Sequence, residues 1–319
     1  MGAFGGFTPP ATVLVLGGAG FIGRHVTMAL RARGCRVIVG TRHPARRQRA
    51  ATEPMEYRRA RLERMPASAD WAGVLQDCEA VVNCVGILRE RGRETYDRVH
   101  HRALAALAAA CGQRGLRLVH VSALGLDADV RSGFLRSKRD GEAALRASDA
   151  DWHIVRPSLL DGEGGFGARW IRRVARWPVH PLPADAVGRI AVLDVRDLGE
   201  AIARLLLDPL PDSVREHELG GLHARTLATH LAAMRALQTS SAARCVAIPA
   251  AIARAAAHAC DLLHWTPYSF GHLELLRHDN CPRDNRLPLL LGRSPHIVGA
   301  APSVGPACLP ATELPLEAR

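Results

Sequence analysis

The segment Thr12–Gly23 reads TVLVLGGAGFIG, and this stretch decides the fold. Its first part, Thr12–Leu16, is a short run of valine and leucine, which is typical of a buried strand. Its second part is rich in glycine, and an amphipathic pattern continues over Phe21–Arg33 until Gly34 ends it. A strand, a glycine turn and a helix in this order predict the first unit of an α/β fold.

The alternation of strand and helix signals continues along the chain. Further apolar runs predict strands at Arg36–Val39, Ala80–Cys84, Leu116–Val121 and Trp152–Val155. Helical patterns are found at Tyr96–Arg114, Ser137–Ala147 and Val195–Leu207. Strands separated by helices of this length predict an α/β fold with a Rossmann-type, doubly wound parallel sheet.

The chain changes character after residue 160, which predicts a main domain, a smaller region and a tail. Residues 11–160 form the predicted sheet domain, to which residues 187–207 return. Residues 161–186 and 208–293 form a smaller, mainly helical C-terminal region for a substrate or partner. Residues 294–319 are rich in proline and predict a loosely ordered tail.

The composition is that of an ordinary globular protein. Of 319 residues, 48% are hydrophobic and 23% are charged, which excludes a disordered chain, a collagen-like repeat and a coiled coil. The net charge of +11 suggests an anionic partner. The basic clusters Arg58–Arg64 and Arg89–Arg93 lack a helix-turn-helix or interleaved aromatic residues, so no nucleic acid is predicted. Nearly all cations are arginines, and Lys138 is the single lysine.

Cysteine usage and hydropathy predict a cytoplasmic protein. The eight cysteines form no C-x-x-C pair, which predicts reduced thiols. No secretory leader and no long apolar segment are apparent. The helical stretch Pro249–Leu263 is amphipathic, which indicates a surface helix or, alternatively, peripheral contact with the inner face of a membrane. The histidines show no metal-like spacing, so no metal is predicted.

The glycine segment predicts a phosphate-binding turn. Gly17 allows a tight turn, Gly20 allows the backbone to approach a diphosphate, and Gly23 allows the helix to pack closely on the strand. Phe21 and Ile22 lie between these glycines and belong to the same predicted site. The start of the helix offers free amides to an anion, so the segment predicts dinucleotide binding.

The end of the second strand indicates which dinucleotide binds. An NAD site usually has Asp or Glu there for the ribose 2′-hydroxyl, but this chain has Thr41 and Arg42. Arg46 and Arg47 follow closely. A guanidinium at this place suits the 2′-phosphate of NADP, so the sequence favours NADP(H) over NAD(H) as the cofactor.

Several segments together resemble the extended short-chain dehydrogenase/reductase superfamily, over about residues 11–294. The segments are GGAGFIG, VVNCVGIL, VHVSALG, SKRDGE, VRPS, HELGG and RLPLLLGR. They are most similar to an atypical branch that contains the nucleotide-binding accessory subunit of respiratory complex I and its bacterial relatives. The resemblance implies cofactor contacts at Val85, Gly86 and Lys138. It also implies that Pro157 and Ser158 lie at the nicotinamide end, with Ser158 exposed to the cleft.

The resemblance also shows a departure at the catalytic position. Enzymes of the superfamily use a serine and a Tyr-x-x-x-Lys motif, and this chain has Ser122 and Lys138. Phe134 stands where the tyrosine should be, and His100 stands near the place of a frequent asparagine. Phenylalanine cannot donate a proton, which predicts badly impaired carbonyl reduction. The retained lysine favours retained cofactor binding.

Three functional hypotheses follow. The first is an NADP(H)-binding oxidoreductase-like protein with altered or weak catalysis on a hydrophobic carbonyl or quinone-type substrate. The second is a non-catalytic nucleotide-bound scaffold or redox sensor on a respiratory or quinone-related membrane complex. The third, a nucleotide-sugar epimerase or dehydratase, is disfavoured by Phe134. Apolar residues that indicate an apolar cleft, although core packing explains them equally well, are Leu262, Leu263, Trp265 and Leu275.

Overall fold

The computed structural model describes residues 9–51, 54–126, 130–209, 213–263 and 269–299. Its strands are β1 (Thr12–Leu16), β2 (Arg36–Thr41), β3 (Glu56–Arg59), β4 (Ala80–Asn83), β5 (Arg117–Val121), β6 (Asp151–Pro157), β7 (Leu160–Asp161), β8 (Val179–Pro183), β9 (Arg189–Ile190), β10 (Leu193–Asp194), β11 (Glu216–Leu219), β12 (Arg225–Thr226) and β13 (Arg244–Ile248). Seven of them form a parallel sheet in the order β11-β6-β5-β4-β1-β2-β3. The remaining strands pair in two-stranded sheets, β7 with β10, β9 with β12 and β8 with β13.

The helices cover both faces of the large sheet. They are α1 (Phe21–Ala32), α2 (Pro44–Ala50), α3 (Ala103–Arg114), α4 (Gly133–Arg146), α5 (Phe166–Ala175), α6 (Val195–Leu207), α7 (Leu227–Ala236), α8 (Ala250–Leu263), α9 (Phe270–Arg277) and α10 (Leu287–Leu291). A π-helical turn, Asp97–Arg102, leads into α3. The parallel sheet with helices on both sides confirms the predicted α/β fold.

The core is divided in two by the sheet because strand side chains alternate between its faces. Leu14 and Leu16 of β1 belong to one buried cluster, which includes α3 and the fully buried Trp71. Val13 and Val15 belong to the other cluster, which includes α1, α6 and α10. Strands that are buried on both faces read as continuous apolar runs, which is why β1 was recognisable from the sequence.

Two strands of the large sheet were not predicted. β3 carries arginines and lies at an edge, so it has no apolar run. β11 lies at the opposite edge and pairs with β6. Within residues 208–293, β11 therefore belongs to the main sheet and α10 packs on the core beneath it.

Other predictions changed in detail. Ile190 and Leu193 lie close in sequence but belong to β9 and β10, which are parts of different small sheets. Helix α4 begins earlier than predicted because Ser132 caps it by accepting a hydrogen bond from Leu135 N. Within the described residues, no helix is long and apolar enough to cross a membrane. Of the predicted tail, residues 300–319 lie outside the described residues.

The prediction of reduced thiols is correct for most of the described cysteines and wrong for one. Cys35, Cys78, Cys84, Cys111, Cys260 and Cys281 are free. Cys245, in β13, is disulfide-bonded. Burial raises the pKa of Cys84 and of Cys111 to about 12, so these two thiols are poor nucleophiles.

Candidate functional site

The candidate site lies where the order of the large sheet reverses, between β1 and β4. The chain that leaves β1 continues to β2 on one side, and the chain that leaves β4 continues to β5 on the other side. Open α/β sheets bind their ligands in the crevice at such a point. A cavity of about 410 Å³ opens there, lined by residues at the ends of β1, β2, β4 and β5 and by Lys138 of α4.

The glycine turn after β1 forms one wall of this cavity. Gly17 has a φ of +72°, a conformation that favours glycine, and its N–H donates to Gly40 O at 2.9 Å. A Cβ added to Gly23 would lie 2.3 Å from Gly17 O, so the first turn of α1 directly contacts the glycine turn. Gly20, Phe21 and Ile22 line the cavity.

The start of α1 provides the electrostatic part of this wall. Gly20 is its N-cap and has no capping side chain, and the first turn contains no acidic residue. The first amides and the positive end of the helix dipole therefore remain available to an anion at the cavity. This arrangement fits the diphosphate of a dinucleotide.

The end of β2 forms another wall of the cavity. Thr41, Arg42 and Arg47 line the cavity there. However, Arg42 forms an ion pair with Glu94, which lies in the loop after β4 and also lines the cavity. The sequence shows no acidic residue near the end of β2, so this pair was not predicted.

The ends of β4 and β5 form the opposite side of the cavity, with Ser122 and Lys138. Val85 and Gly86 line the cavity here. Ser122 is 5% exposed, and its Oγ has no hydrogen-bond partner among the described residues. Lys138 is 8% exposed, and a Cβ added to Gly86 would lie 3.9 Å from Lys138 Nζ. Burial lowers the pKa of Lys138 to about 8, although Glu142 acts in the opposite direction.

Phe134, at the place of the missing tyrosine, belongs to an aromatic cluster. Its ring centroid lies 5.8 Å from that of Tyr96, 5.6 Å from that of His100 and 6.2 Å from that of His272. Lys138 Nζ lies 5.7 Å from the centroid of the Phe134 ring. The lysine therefore faces a π surface where the family would have a phenol.

Tyr96 brings a phenol next to Phe134 but does not replace the missing group. Its hydroxyl donates to Leu88 O at 2.9 Å, and it does not line the cavity. Burial, with Asp261 acting in the same direction, raises the pKa of Tyr96 to about 12. Tyr96 therefore supports the loop after β4 rather than donating a proton.

His100 takes the place of the usual asparagine and connects two elements of the site. Its Nε2 accepts a hydrogen bond from Ile87 N at 3.0 Å, so its Nδ1 carries the proton that faces Ser137 Oγ at 2.9 Å. Burial and the nearby Lys138 hold the pKa of His100 well below its usual value, which keeps the ring neutral. The role of His100 was not apparent from its sequence position.

The structure contradicts the predicted exposure of Ser158 to the cleft. Ser158 is not exposed to the cleft: its buried hydroxyl donates to Asn280 O at 2.6 Å and accepts from Ala191 N at 3.1 Å. Pro157 lies at the end of β6 and is likewise absent from the cavity wall. Their contacts with a cofactor therefore remain predictions without support from this geometry.

Two of the residues expected to form an apolar cleft are described by the structure with their side chains. Leu262 is 80% exposed on α8, and Leu275 packs next to Gly125. Leu263 is the last residue of α8, and Trp265 lies outside the described residues. A second, wider cavity of about 750 Å³ adjoins the first and shares Arg42, Glu63, Ile87 and Glu94 with it. Its other lining residues are Arg64, Leu88, Arg89, Arg91, Arg93 and Phe166.

A glycine turn at the point where the strand order of a parallel sheet reverses is typical of a dinucleotide-binding protein. The family model described as NAD(P)H-binding matches residues 17–192, which is more than half of the chain. The chain belongs to this NAD(P)H-binding family, within the atypical short-chain dehydrogenase/reductase superfamily.

Relatives of this chain include an enzyme and a subunit of a respiratory complex. It is 30% identical over 206 residues to ceramide reductase of Caulobacter vibrioides (strain NA1000 / CB15N), covering 62% of each chain. It is 26% identical over 206 residues to NADH dehydrogenase [ubiquinone] 1 alpha subcomplex subunit 9, mitochondrial, of Dictyostelium discoideum, covering 61% of this chain and 55% of the relative. The chain thus matches less than two thirds of the length of either relative.

The fold is also found among solved structures. That of MoeE5 in complex with UDP-glucuronic acid and NAD is similar with a TM-score of 0.61 and 22% identity, covering 90% of this chain and 94% of that chain. Identity at this level supports the fold alone.

Replacing Gly23 by alanine tests the contact between α1 and the glycine turn. The added methyl would overlap the backbone of Gly17, so we expect destabilisation of about 1–3 kcal/mol and loss of dinucleotide binding. Thermal unfolding and NADPH titration measure the two effects. Gly167→Ala is the matched control, because a Cβ there meets nothing within 4 Å. If Gly23→Ala and Gly167→Ala had the same stability and the same affinity for NADPH, the close packing of α1 on the glycine turn would be contradicted.

Proposed function

We propose that this protein is an NADP(H)-binding oxidoreductase of the atypical short-chain type that acts slowly on the carbonyl of an apolar substrate. The observation that carries the proposal is the Ser122 hydroxyl, which is buried at the cavity wall and has no hydrogen-bond partner in the part of the chain that the structure describes. Buried hydroxyls are normally bonded. The unpaired Ser122 hydroxyl therefore supports the proposal that a bound ligand supplies its hydrogen-bond acceptor, such as a carbonyl oxygen.

The residues around the cavity fit the proposed cofactor. Gly17–Ile22 would hold the diphosphate, Lys138 the ribose hydroxyls at the nicotinamide, and Arg42 with Arg47 the 2′-phosphate. When bound, the cofactor donates or accepts a hydride. Within the described part of the chain, Lys138 has no ion pair, which leaves its ammonium available to these hydroxyls.

Lys138 is also the proposed proton donor, because Phe134 cannot serve. In the direction of reduction, Ser122 Oγ donates a hydrogen bond to the carbonyl oxygen and polarises it. The Lys138 ammonium then transfers a proton to the oxygen as negative charge develops there. The burial that lowers the pKa of Lys138 to about 8 makes this transfer easier than from an exposed lysine.

The substrate class is inferred from the wider cavity and from one relative. Ile87, Leu88 and Phe166 give the wider cavity an apolar part, Phe166 is 49% exposed, and the other seven lining residues are charged. The relative from Caulobacter vibrioides is named a ceramide reductase. Together these observations support a lipid-like or quinone-like carbonyl substrate that has polar groups beside its apolar part.

Replacing Ser122 by alanine tests its catalytic role. We expect a fall of about 100-fold in kcat, because a polarising donor is lost, with little change in the Kd of NADPH. Oxidation of NADPH with long-chain ketones or quinones is the assay. Ser148→Ala is the control, since the Ser148 hydroxyl donates to Leu145 O away from the cavity. An unchanged rate in Ser122→Ala would exclude the proposed role.

The pH dependence of the rate tests Lys138. With a pKa of about 8, the ammonium is protonated below pH 8 and loses its proton above it. We therefore expect kcat to fall about tenfold per pH unit above pH 8. In Lys138→Arg the guanidinium stays charged, so the slower rate should be independent of pH between 7 and 10. A wild-type profile that is flat over this range contradicts proton donation by Lys138.

A second candidate function is favoured by the packing of Phe134. Tyr96, His100 and His272 surround its ring, so the position where the superfamily has a phenol is part of the aromatic cluster. This supports a nucleotide-bound module without turnover, associated with a respiratory complex or with the inner face of a membrane. The relative from Dictyostelium discoideum is named as a subunit of NADH dehydrogenase. Exposed Ile252 on α8 and the net charge of +11 also suit such a partner.

Phe134→Tyr distinguishes the two candidates. The added hydroxyl would restore the Tyr-x-x-x-Lys arrangement, and for an enzyme we expect a gain of about 10²-fold or more in kcat. Steady-state NADPH oxidation measures the gain, with Kd for NADPH as the control for an intact site. No gain with an unchanged Kd would favour the non-catalytic module.

A further inference from the structure

The loop after β4 forms a tight turn that places an acidic residue beside the β2 end of the cavity. Arg91 N donates to Glu94 O at 3.0 Å, and Glu94 N donates to Arg91 O at 2.9 Å. Gly92 supports the turn with a φ of +54°. The two backbone hydrogen bonds fix the position of Glu94, whose side chain is 23% exposed and pairs with Arg42.

At this end of the 410 Å³ cavity the charges of the lining residues are balanced before any cofactor phosphate is counted, whereas the charged residues that the adjoining wider cavity adds are arginines. Arg42 and Arg47 contribute positive charge, while Glu63 and Glu94 contribute negative charge, and all four line the cavity. Glu63 lies 3.9 Å from Arg64, which faces the wider cavity. Arg42 is thus not a free cation that awaits a phosphate.

We propose that Glu94 is a specificity-determining residue, which competes with the 2′-phosphate of NADP(H) for Arg42 and accepts a hydrogen bond from the 2′-hydroxyl of NAD(H). The inference rests on the proposed function, since it concerns the same cofactor site. A 2′-phosphate carries close to two negative charges at neutral pH, so Glu94 repels it. A ribose hydroxyl is a neutral donor, and a carboxylate is its usual acceptor in NAD sites.

The exposure of the ion pair determines how strongly Glu94 acts. Arg42 is 56% exposed, and ion pairs of this kind contribute little stability. A phosphate can therefore displace Glu94 from Arg42, and Glu94 reduces the preference for NADP(H) without abolishing binding. The site consequently binds both dinucleotides. Its affinity for NADP(H) exceeds its affinity for NAD(H) by a smaller factor than Arg42 alone would give.

Glu94→Gln tests this inference, because the amide keeps the size of the side chain and removes its charge. We expect the Kd of NADPH to fall about tenfold and the Kd of NADH to stay the same or rise by a few-fold. Fluorescence titration of the full-length protein with each dinucleotide gives both constants. The gain for NADPH should shrink at high salt, since it is electrostatic.

Two further variants complete the test. Glu163→Gln, an exposed change outside both cavities, removes the same charge and should leave the ratio of the two Kd values unchanged. In the Arg42→Gln background, Glu94→Gln should change the ratio much less, because the two residues act as a pair. A ratio that Glu94→Gln does not change would overturn the inference alone. Wild-type protein that binds neither dinucleotide would overturn the proposed function as well.

Discussion

The close contact between α1 and the glycine turn is the constraint on which the rest of the structure depends. Because Gly23 has no side chain, the first turn of α1 can lie against Gly17, and a Cβ there would be 2.3 Å from Gly17 O. This contact sets the point at which the helix begins and therefore the direction of its free amides. The same helix then packs on β1 and on α6, which closes the second half of the core.

The end of the cavity that holds Ser122 and Lys138 differs from the Ser and Tyr-x-x-x-Lys pattern at one position, Phe134. Phe134 preserves the ring of the missing tyrosine, and its neighbours Tyr96, His100 and His272 hold that ring in place. Ser122 and Lys138 remain at the cavity wall in buried positions. Lys138 matches the pattern of the superfamily, but its surroundings differ from that pattern, because it faces the aromatic ring of Phe134 and the neutral His100.

The sequence was sufficient for the parts of the fold that rest on local patterns. The strand, glycine turn and helix of Thr12–Ala32 were predicted almost to the residue, because burial on both faces gives β1 a continuous apolar run. β3 and β11 were missed because edge strands carry charged residues. The Arg42–Glu94 pair and the environment of Phe134 arise between segments distant in sequence. No local sequence pattern predicts such contacts. Ser158 shows the opposite kind of error, because its place in a family motif predicted exposure to the cleft, whereas its hydroxyl is buried and hydrogen-bonded to Asn280 O.

The place of β11 has a consequence for how the chain can be divided. β6 contains Ile154 and Val155 and is covered by β11, which carries the half-buried Glu216 and Glu218. A fragment that ended before residue 216 would leave β6 as an apolar edge with unpaired amides and carbonyls, which is a template for aggregation. β11, which comes from the second half of the chain, thus covers the edge of β6 and prevents it from pairing with another chain. Solubility of the nucleotide-binding half therefore depends on residues that follow it by more than fifty positions.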